Sequence, residues 1–80
     1  MDVRQRIGWN LRRLRKKHDI SQEDFATDSG FDRGYISGVE RGVRIPSVLV
    51  LERIAVALEV DVAELFDARE AGQFADRNVR

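Results

Sequence analysis

Guanidinium and ammonium groups are as numerous in this sequence as carboxylates, with 14 of each, and they are unevenly distributed. Residues 1–18 have a net charge of +6 and residues 61–80 a net charge of −2, although the whole 80-residue chain is formally neutral. The basic segment carries Asp2 against Arg4, Arg6, Arg12, Arg13, Arg15, Lys16 and Lys17. A concentrated basic segment favours contact with nucleic acid, and the alternative is a solvated, charged helix face.

Other chemistries are excluded by what the sequence lacks. It has no cysteine and a single histidine, His18, with no cluster of carboxylates beside it, so neither a disulfide nor a metal site is expected. It also shows no nucleophile with a base, no paired carboxylates and no phosphate-binding glycine loop, so we expect no enzyme activity and no cofactor. No stretch approaches the ~20 apolar residues that span a bilayer, and no apolar segment follows the N-terminus, which predicts a cytoplasmic protein.

The elements that must position the basic groups are helices. Ile7, Leu11 and Leu14 recur at helical spacing in a first helix over about 2–18. Apolar spacing and the cap residues Ser21, Asp32, Ser47 and Asp61 predict further helices over 21–29, 32–41, from Ser47 onward, and over 62–66. The prediction is therefore a compact all-α fold of five helices in one domain, 1–67, followed by a polar, flexible C-terminal tail over 68–80.

One spacing within the second and third helices has a geometric cause. When Gln22 is position one of a twenty-residue window, Ala26, Gly30, Ile36 and Val39 occupy positions five, nine, fifteen and eighteen. A small residue allows two helices to cross closely, a glycine allows the sharp turn, and two apolar residues fix the second helix in the core. The opposite face of that helix then points outward, with dimensions that fit a major groove. The window 22–41 is therefore predicted to be a helix-turn-helix.

The segments 20–26 (ISQEDFA) and 32–42 (DRGYISGVERG) resemble the Cro/phage-repressor (Xre) family of helix-turn-helix regulators, whose fold is lambda-repressor-like. The resemblance covers roughly residues 7–66, and the second segment is similar to controller proteins of restriction–modification systems. It implies a sequence-specific regulator of transcription, of repressor or controller type, that binds a double-stranded DNA operator as a homodimer. It also implies a bacterial cytoplasmic protein associated with the nucleoid when bound, with no small-molecule ligand evident.

Carried over residue by residue, the resemblance implies base contacts from Arg33, Gly34 and Ser37 on the third helix. Arg33 suits guanine O6 and N7, although it could instead pair with Glu23 or Asp32. Gly34 and Gly38 depart from the family, which commonly has longer polar residues there. The implied phosphate contacts come from Ser21, Gln22, Tyr35, Arg41 and Arg44.

Two of the phosphate contacts have alternatives: Gln22 could be simply an exposed polar residue, and Arg41 could stabilise the carboxyl end of the helix dipole. Glu40 is expected to be structural, paired with an arginine of the first helix such as Arg12 or Arg13. The glycines and the neutral net charge favour a second hypothesis for the function of the chain. It would be a protein-interaction module that has kept the fold and lost DNA binding.

Apolar residues near the end of the domain exceed what one small core is expected to enclose. We therefore predict that a homodimer forms through the fourth and fifth helices. The alternative is that Leu65 and Phe66 complete the core of a single subunit. The residues of the predicted interface are Leu49, Val50, Val62, Leu65 and Phe66.

Overall fold

The computed structural model describes residues 2–68, which form helices and loops without a β-strand. The helices are α1 (Val3–Lys17), α2 (Gln22–Ser29), α3 (Arg33–Glu40) and α4 (Val48–Ala57), followed by a 3₁₀ helix, η1 (Val62–Phe66). The predicted all-α class is confirmed. The fifth predicted helix is 3₁₀ rather than α, because five residues are too few to sustain a ladder of α-helical hydrogen bonds. The predicted tail lies outside the described residues except for Ala68.

Each helix begins at a side chain that accepts a backbone N–H. The Ser21 hydroxyl accepts from the Asp24 amide at 3.0 Å, and the Ser47 hydroxyl accepts from the Val50 amide at 3.1 Å. Asp32 and Asp61 cap α3 and η1 in the same way. These four predicted caps are confirmed, and the helices begin one residue after them because a cap residue has non-helical backbone angles.

One core joins all five elements. α1 packs against α3 and η1, α2 packs against α3 and α4, and η1 also packs against α4. The buried apolar side chains are Ile7, Leu11, Leu14, Phe25, Ala26, Ile36, Val39, Leu51, Ile54, Ala55, Leu58 and Leu65. Among residues 2–68, no helix is both long and apolar enough to cross a membrane.

A buried amide fixes the end of the domain to the first helix. The Asn10 side chain is buried and its Nδ2 donates to the Leu65 carbonyl at 3.0 Å and to the Asp67 carbonyl at 2.8 Å. Because the carbonyls at a helix end lack partners within the helix, this contact satisfies them away from water. The 3₁₀ helix is thereby held against α1.

Candidate nucleic-acid interface

α2 and α3 form the predicted helix-turn-helix. Ala26 is buried where the helices cross, and Ile36 and Val39 are fully buried beneath α3. Gly30 adopts φ 78°, a left-handed conformation that costs other residue types more than glycine, and it ends α2. The four predicted offsets therefore have the structural roles that the spacing indicated, and the opposite side of α3 faces outward.

An open groove of about 490 Å³ lies between α1, the amino end of α2 and the outward face of α3. Five of the eight residues predicted to contact DNA line it: Ser21, Gln22, Arg33, Ser37 and Arg41. The other lining residues are Arg12, Arg15, Lys16 and Glu40. The basic face of α1 and the helix-turn-helix thus meet at one surface, which the separate sequence signals did not establish. Arg12 and Lys16 are additions to the predicted site.

The groove is strongly positive. Five basic side chains line it, whereas Glu40 is the single acidic lining residue and is paired with Arg15. The expected pairing of Glu40 with an arginine of α1 is confirmed, but the partner is Arg15 rather than Arg12 or Arg13. Arg15 Nε donates to Glu40 Oε2 at 2.8 Å and Arg15 Nη2 to Glu40 Oε1 at 3.1 Å. Residue 15 follows Leu11 by one helical turn, so it lies on the inward side of α1. The remaining guanidinium and ammonium groups face solvent, where they would attract an anion.

Gln22 is tied to this ion pair, because its Nε2 donates to Glu40 Oε1 at 3.0 Å. The side chain is half-buried rather than freely exposed. Its amide keeps a second N–H, and it lies at the first residue of α2, where the unpaired backbone N–H groups favour an anion. The Arg15–Glu40–Gln22 contacts therefore orient one of the predicted phosphate-binding side chains.

Arg33 and Arg41 are exposed at the two ends of α3. The alternative pairing of Arg33 with Glu23 or Asp32 is not found: within residues 2–68 the Arg33 side chain makes no ion pair, and the Asp32 carboxylate accepts the Tyr35 amide at 3.3 Å. Arg41 is the C-cap of α3, so its position is also compatible with the alternative role of stabilising the carboxyl end of the helix dipole.

Tyr35 lies outside the groove in a stack of three side chains. Its ring centroid is 5.6 Å from that of Phe31, and the Arg53 guanidinium lies 4.3 Å from the Phe31 centroid. Arg53 also donates to the Ser29 carbonyl at 3.2 Å. The Arg53 cation lies over the ring of Phe31, and Phe31 in turn stacks on Tyr35. Sequence reasoning missed both supporting residues.

The two remaining predicted DNA contacts, Gly34 and Arg44, do not line the groove. Gly34 is exposed near the amino end of α3. Arg44 is exposed in the loop after α3, and its side chain packs against Gly38, which is buried. The two glycines thus differ, since one is open to solvent and the other is covered by an arginine.

The predicted dimer surface is only partly exposed. Leu49 is 73% exposed and Phe66 38%, whereas Val50 and Val62 are half-buried. Assigning Leu65 to this surface was wrong, because its side chain is fully buried between α1 and α4 in the subunit's own core. Sequence reasoning missed Val43, Ile45 and Val48, which are 62–75% exposed just before and at the start of α4. Among residues 2–68, no three potential metal ligands lie close enough to hold an ion.

Comparison with known proteins identifies the family of this architecture. A family model described as Helix-turn-helix matches residues 11–65. The uncharacterized HTH-type transcriptional regulator y4dJ of Sinorhizobium fredii is 39% identical over 77 residues, which cover 96% of this chain and all of that protein.

Solved structures show the same fold. The restriction–modification controller protein C.AhdI from Aeromonas hydrophila superposes with a TM-score of 0.76 at 43% identity, covering 79% of this chain and 96% of that one. The controller protein C.Esp1396I, solved as a tetramer in complex with its natural 35-base-pair operator, gives a TM-score of 0.74 at 33% identity. That match covers 82% of this chain and 87% of the other.

Proposed function

The chain belongs to the Xre-type helix-turn-helix family of DNA-binding transcriptional regulators and controllers, and from this we propose that it binds an operator as a homodimer and inserts residues 32–41 into the major groove. Relatives of the chain are named as regulators and controller proteins, which are not enzymes. The observation that carries the proposal is the positive groove, because it brings the basic face of α1 and the outward face of α3 to one surface.

The residues of this surface divide into two roles. Ser21, Gln22, Tyr35, Arg41 and Arg44 contact phosphates and fix the position of the protein on the duplex. Arg12 and Lys16 line the groove beside Ser21 and Gln22, and they extend this set. Phosphate contacts give affinity that depends on salt and little on sequence.

Specificity is assigned to the outward face of α3. Arg33 reads a guanine through its two parallel N–H donors, with Ser37 and the backbone at Gly34 beside it. Within residues 2–68 Arg33 makes no ion pair, which supports this role. No ion pair has to be broken before its guanidinium can contact a base.

The proposed dimer pairs the exposed apolar residues of α4 and η1. Leu49 and Phe66 contribute most, with Val50 and Val62 at the margin and Val48 added beside Leu49. Two-fold symmetry would place two copies of α3, the proposed recognition helix, about 34 Å apart on one face of a duplex. The structure of C.Esp1396I on its operator gives a related precedent for self-association on DNA. We include a cytoplasmic, nucleoid-associated location in the proposal.

Salt-dependent binding to random-sequence duplex DNA tests the proposal. The wild-type protein should bind with a log K that falls steeply with log [salt], and Arg41→Ala should flatten the slope by about one unit. Arg4→Ala is the matched control, since it removes an exposed arginine of α1 that pairs with Asp2 and does not line the groove, and it should leave the slope unchanged. Wild-type protein that is folded but shows no salt-dependent binding would reject the proposal and favour the protein-interaction module.

A further inference from the structure

We propose that Gly38 is a positioning residue for Arg44: the missing side chain at residue 38 leaves the space in which the Arg44 stem lies, and this holds the guanidinium beside the recognition helix. The inference rests on the proposed function, in which Arg44 contacts a phosphate. Gly38 makes no DNA contact of its own in this proposal. It affects the affinity of the protein for DNA by fixing the position of Arg44.

Steric evidence comes from the surroundings of Gly38. A Cβ atom built there would lie 2.5 Å from Arg44 Cγ, 3.5 Å from Nε and 3.6 Å from Cβ, and these are the nearest heavy atoms apart from the two chain neighbours and the adjacent backbone of α3. Gly38 is buried although Arg44 itself is exposed, so the arginine stem covers the glycine. Even an alanine at residue 38 would occupy the position of the Arg44 stem.

Hydrogen bonds hold the backbone of Arg44 in place, so it cannot move away from a larger residue at position 38. The Gly38 carbonyl accepts from the Val43 amide at 3.0 Å and from the Arg44 amide at 3.2 Å. The Gly42 amide donates to the Val39 carbonyl at 3.0 Å, and Gly42 has φ 78°. These contacts form a Schellman motif, which ties the loop to the last turn of α3. A side chain at residue 38 would therefore displace the Arg44 side chain rather than its backbone.

The fold itself gives no other reason for a glycine at this position. Gly38 lies within a helix without a positive φ, where glycine costs about 1 kcal/mol relative to alanine. Gly8 differs, because a Cβ there would meet the backbone of Val39 and Glu40. At Gly38 the nearest obstructing atoms all belong to the flexible side chain of Arg44. We therefore infer that the glycine leaves space for the Arg44 side chain.

The location connects this packing to DNA binding. Gly34 and Gly38 are one helical turn apart and Arg41 follows one turn later, so the three lie along one strip of α3. The aliphatic part of the Arg44 side chain lies over this strip at Gly38. Its guanidinium can therefore make the polar contacts that the two glycines of the strip cannot make. Packing against the helix also limits the rotamers of Arg44, which lowers the entropy lost when it binds a phosphate.

A double-mutant cycle tests the inference with Gly38→Ala, Arg44→Ala and the two combined. We expect Arg44→Ala to weaken binding to random-sequence duplex about tenfold at ~0.1 M salt and to flatten the salt slope by about one unit. Gly38→Ala should cause a similar loss without lowering the melting temperature. The double variant should bind as Arg44→Ala does, because both changes act through one guanidinium.

A second measurement is independent of DNA. The Arg44 Nε–H group should show restricted motion by NMR relaxation in the wild type and greater motion in Gly38→Ala. Unchanged Arg44 motion together with unchanged DNA affinity in Gly38→Ala would overturn the positioning role while leaving the proposed function intact. A loss in the double variant equal to the two single losses added together would also overturn it. Wild-type protein that fails to bind DNA would instead defeat the proposed function on which the inference rests.

Discussion

Arg15 on α1 and Glu40 at the end of α3 form a buried ion pair with two hydrogen bonds, and their side chains are 9% and 4% exposed. Arg15 Nη1 also donates to the Ile20 carbonyl at 2.7 Å, and Gln22 donates to Glu40. One pair thus connects α1, the α1–α2 loop, the amino end of α2 and the end of α3. The orientation of the DNA-binding surface depends on contacts made beneath it.

Glu40→Ala should lower the free energy of unfolding by about 3–5 kcal/mol, because it leaves the buried Arg15 guanidinium without its carboxylate. The combined change Arg15→Met and Glu40→Leu should recover most of this loss, since no buried charge then remains unpaired. Urea unfolding followed by circular dichroism measures both. A loss under ~1 kcal/mol for the single change would show that the pair contributes as little as a surface ion pair does.

Gly8→Ala should also destabilise the domain, by about 1–3 kcal/mol or more. A Cβ at Gly8 would lie 2.5 Å from the Glu40 carbonyl oxygen and 2.8 Å from its carbon, so α1 and α3 would have to separate. Gly38→Ala is the matched control, because it meets only a flexible side chain and should not lower the melting temperature. Equal melting temperatures for Gly8→Ala and the wild type would mean that the two helices do not approach this closely.

Arg33→Ala should cost about 1–3 kcal/mol of binding to the best operator and should relax selection at one base position in each half-site. Binding to random-sequence duplex should change much less. Comparison of the sites selected by the wild type and by the variant measures the effect. Identical selected sites would assign specificity to the shape and deformability of the DNA rather than to Arg33.

Leu49→Glu should prevent dimerisation, because it places a charge at the centre of the proposed apolar interface. Val3→Glu is the control, since Val3 is also an exposed apolar residue but lies at the first turn of α1. Sedimentation at micromolar concentration should show a dimer for the wild type and the control, and a monomer for Leu49→Glu. A wild-type monomer would refute the dimer.

Glu59→Gly should raise the stability of the domain without changing DNA binding. Glu59 follows α4 with φ 58°, a left-handed conformation that costs a residue with a side chain roughly 1–2 kcal/mol. Glycine relieves this cost and loses part of the gain to its greater freedom in the unfolded chain, so the expected net gain is about 0.5–1 kcal/mol. Thermal unfolding tests this, and a lower melting temperature would contradict it.

Local signals predicted much of the fold. The caps Ser21, Asp32, Ser47 and Asp61 depend on residue type next to an apolar pattern, and the offsets from Ala26 to Val39 depend on fixed helix geometry. Both kinds of signal involve residues that are close together in the sequence. They therefore gave the positions of α2, α3 and the turn between them.

Contacts between distant segments were harder to predict. An arginine of α1 was correctly expected beside Glu40, but Arg12 and Arg13 were named instead of Arg15, because charge alone does not distinguish Arg15 from its neighbours. The spacing of Arg15 from Leu11 could have done so. Leu65 was assigned to the dimer interface because no pattern in the sequence around it indicates that η1 packs against Asn10 of α1. The packing of Arg44 on Gly38 depends on the path of the intervening loop, which the sequence shows only as Gly42 and Pro46.

Selection of bound sites from a random duplex library tests the central claim most directly. The account predicts enrichment of a pseudo-palindrome whose half-sites lie about one helical turn, or roughly 34 Å, apart, with binding that weakens steeply as salt rises. The Arg33→Ala protein should select the same spacing with one position relaxed in each half-site. A folded wild-type protein that enriches no sequence and shows no salt-dependent binding would contradict the account.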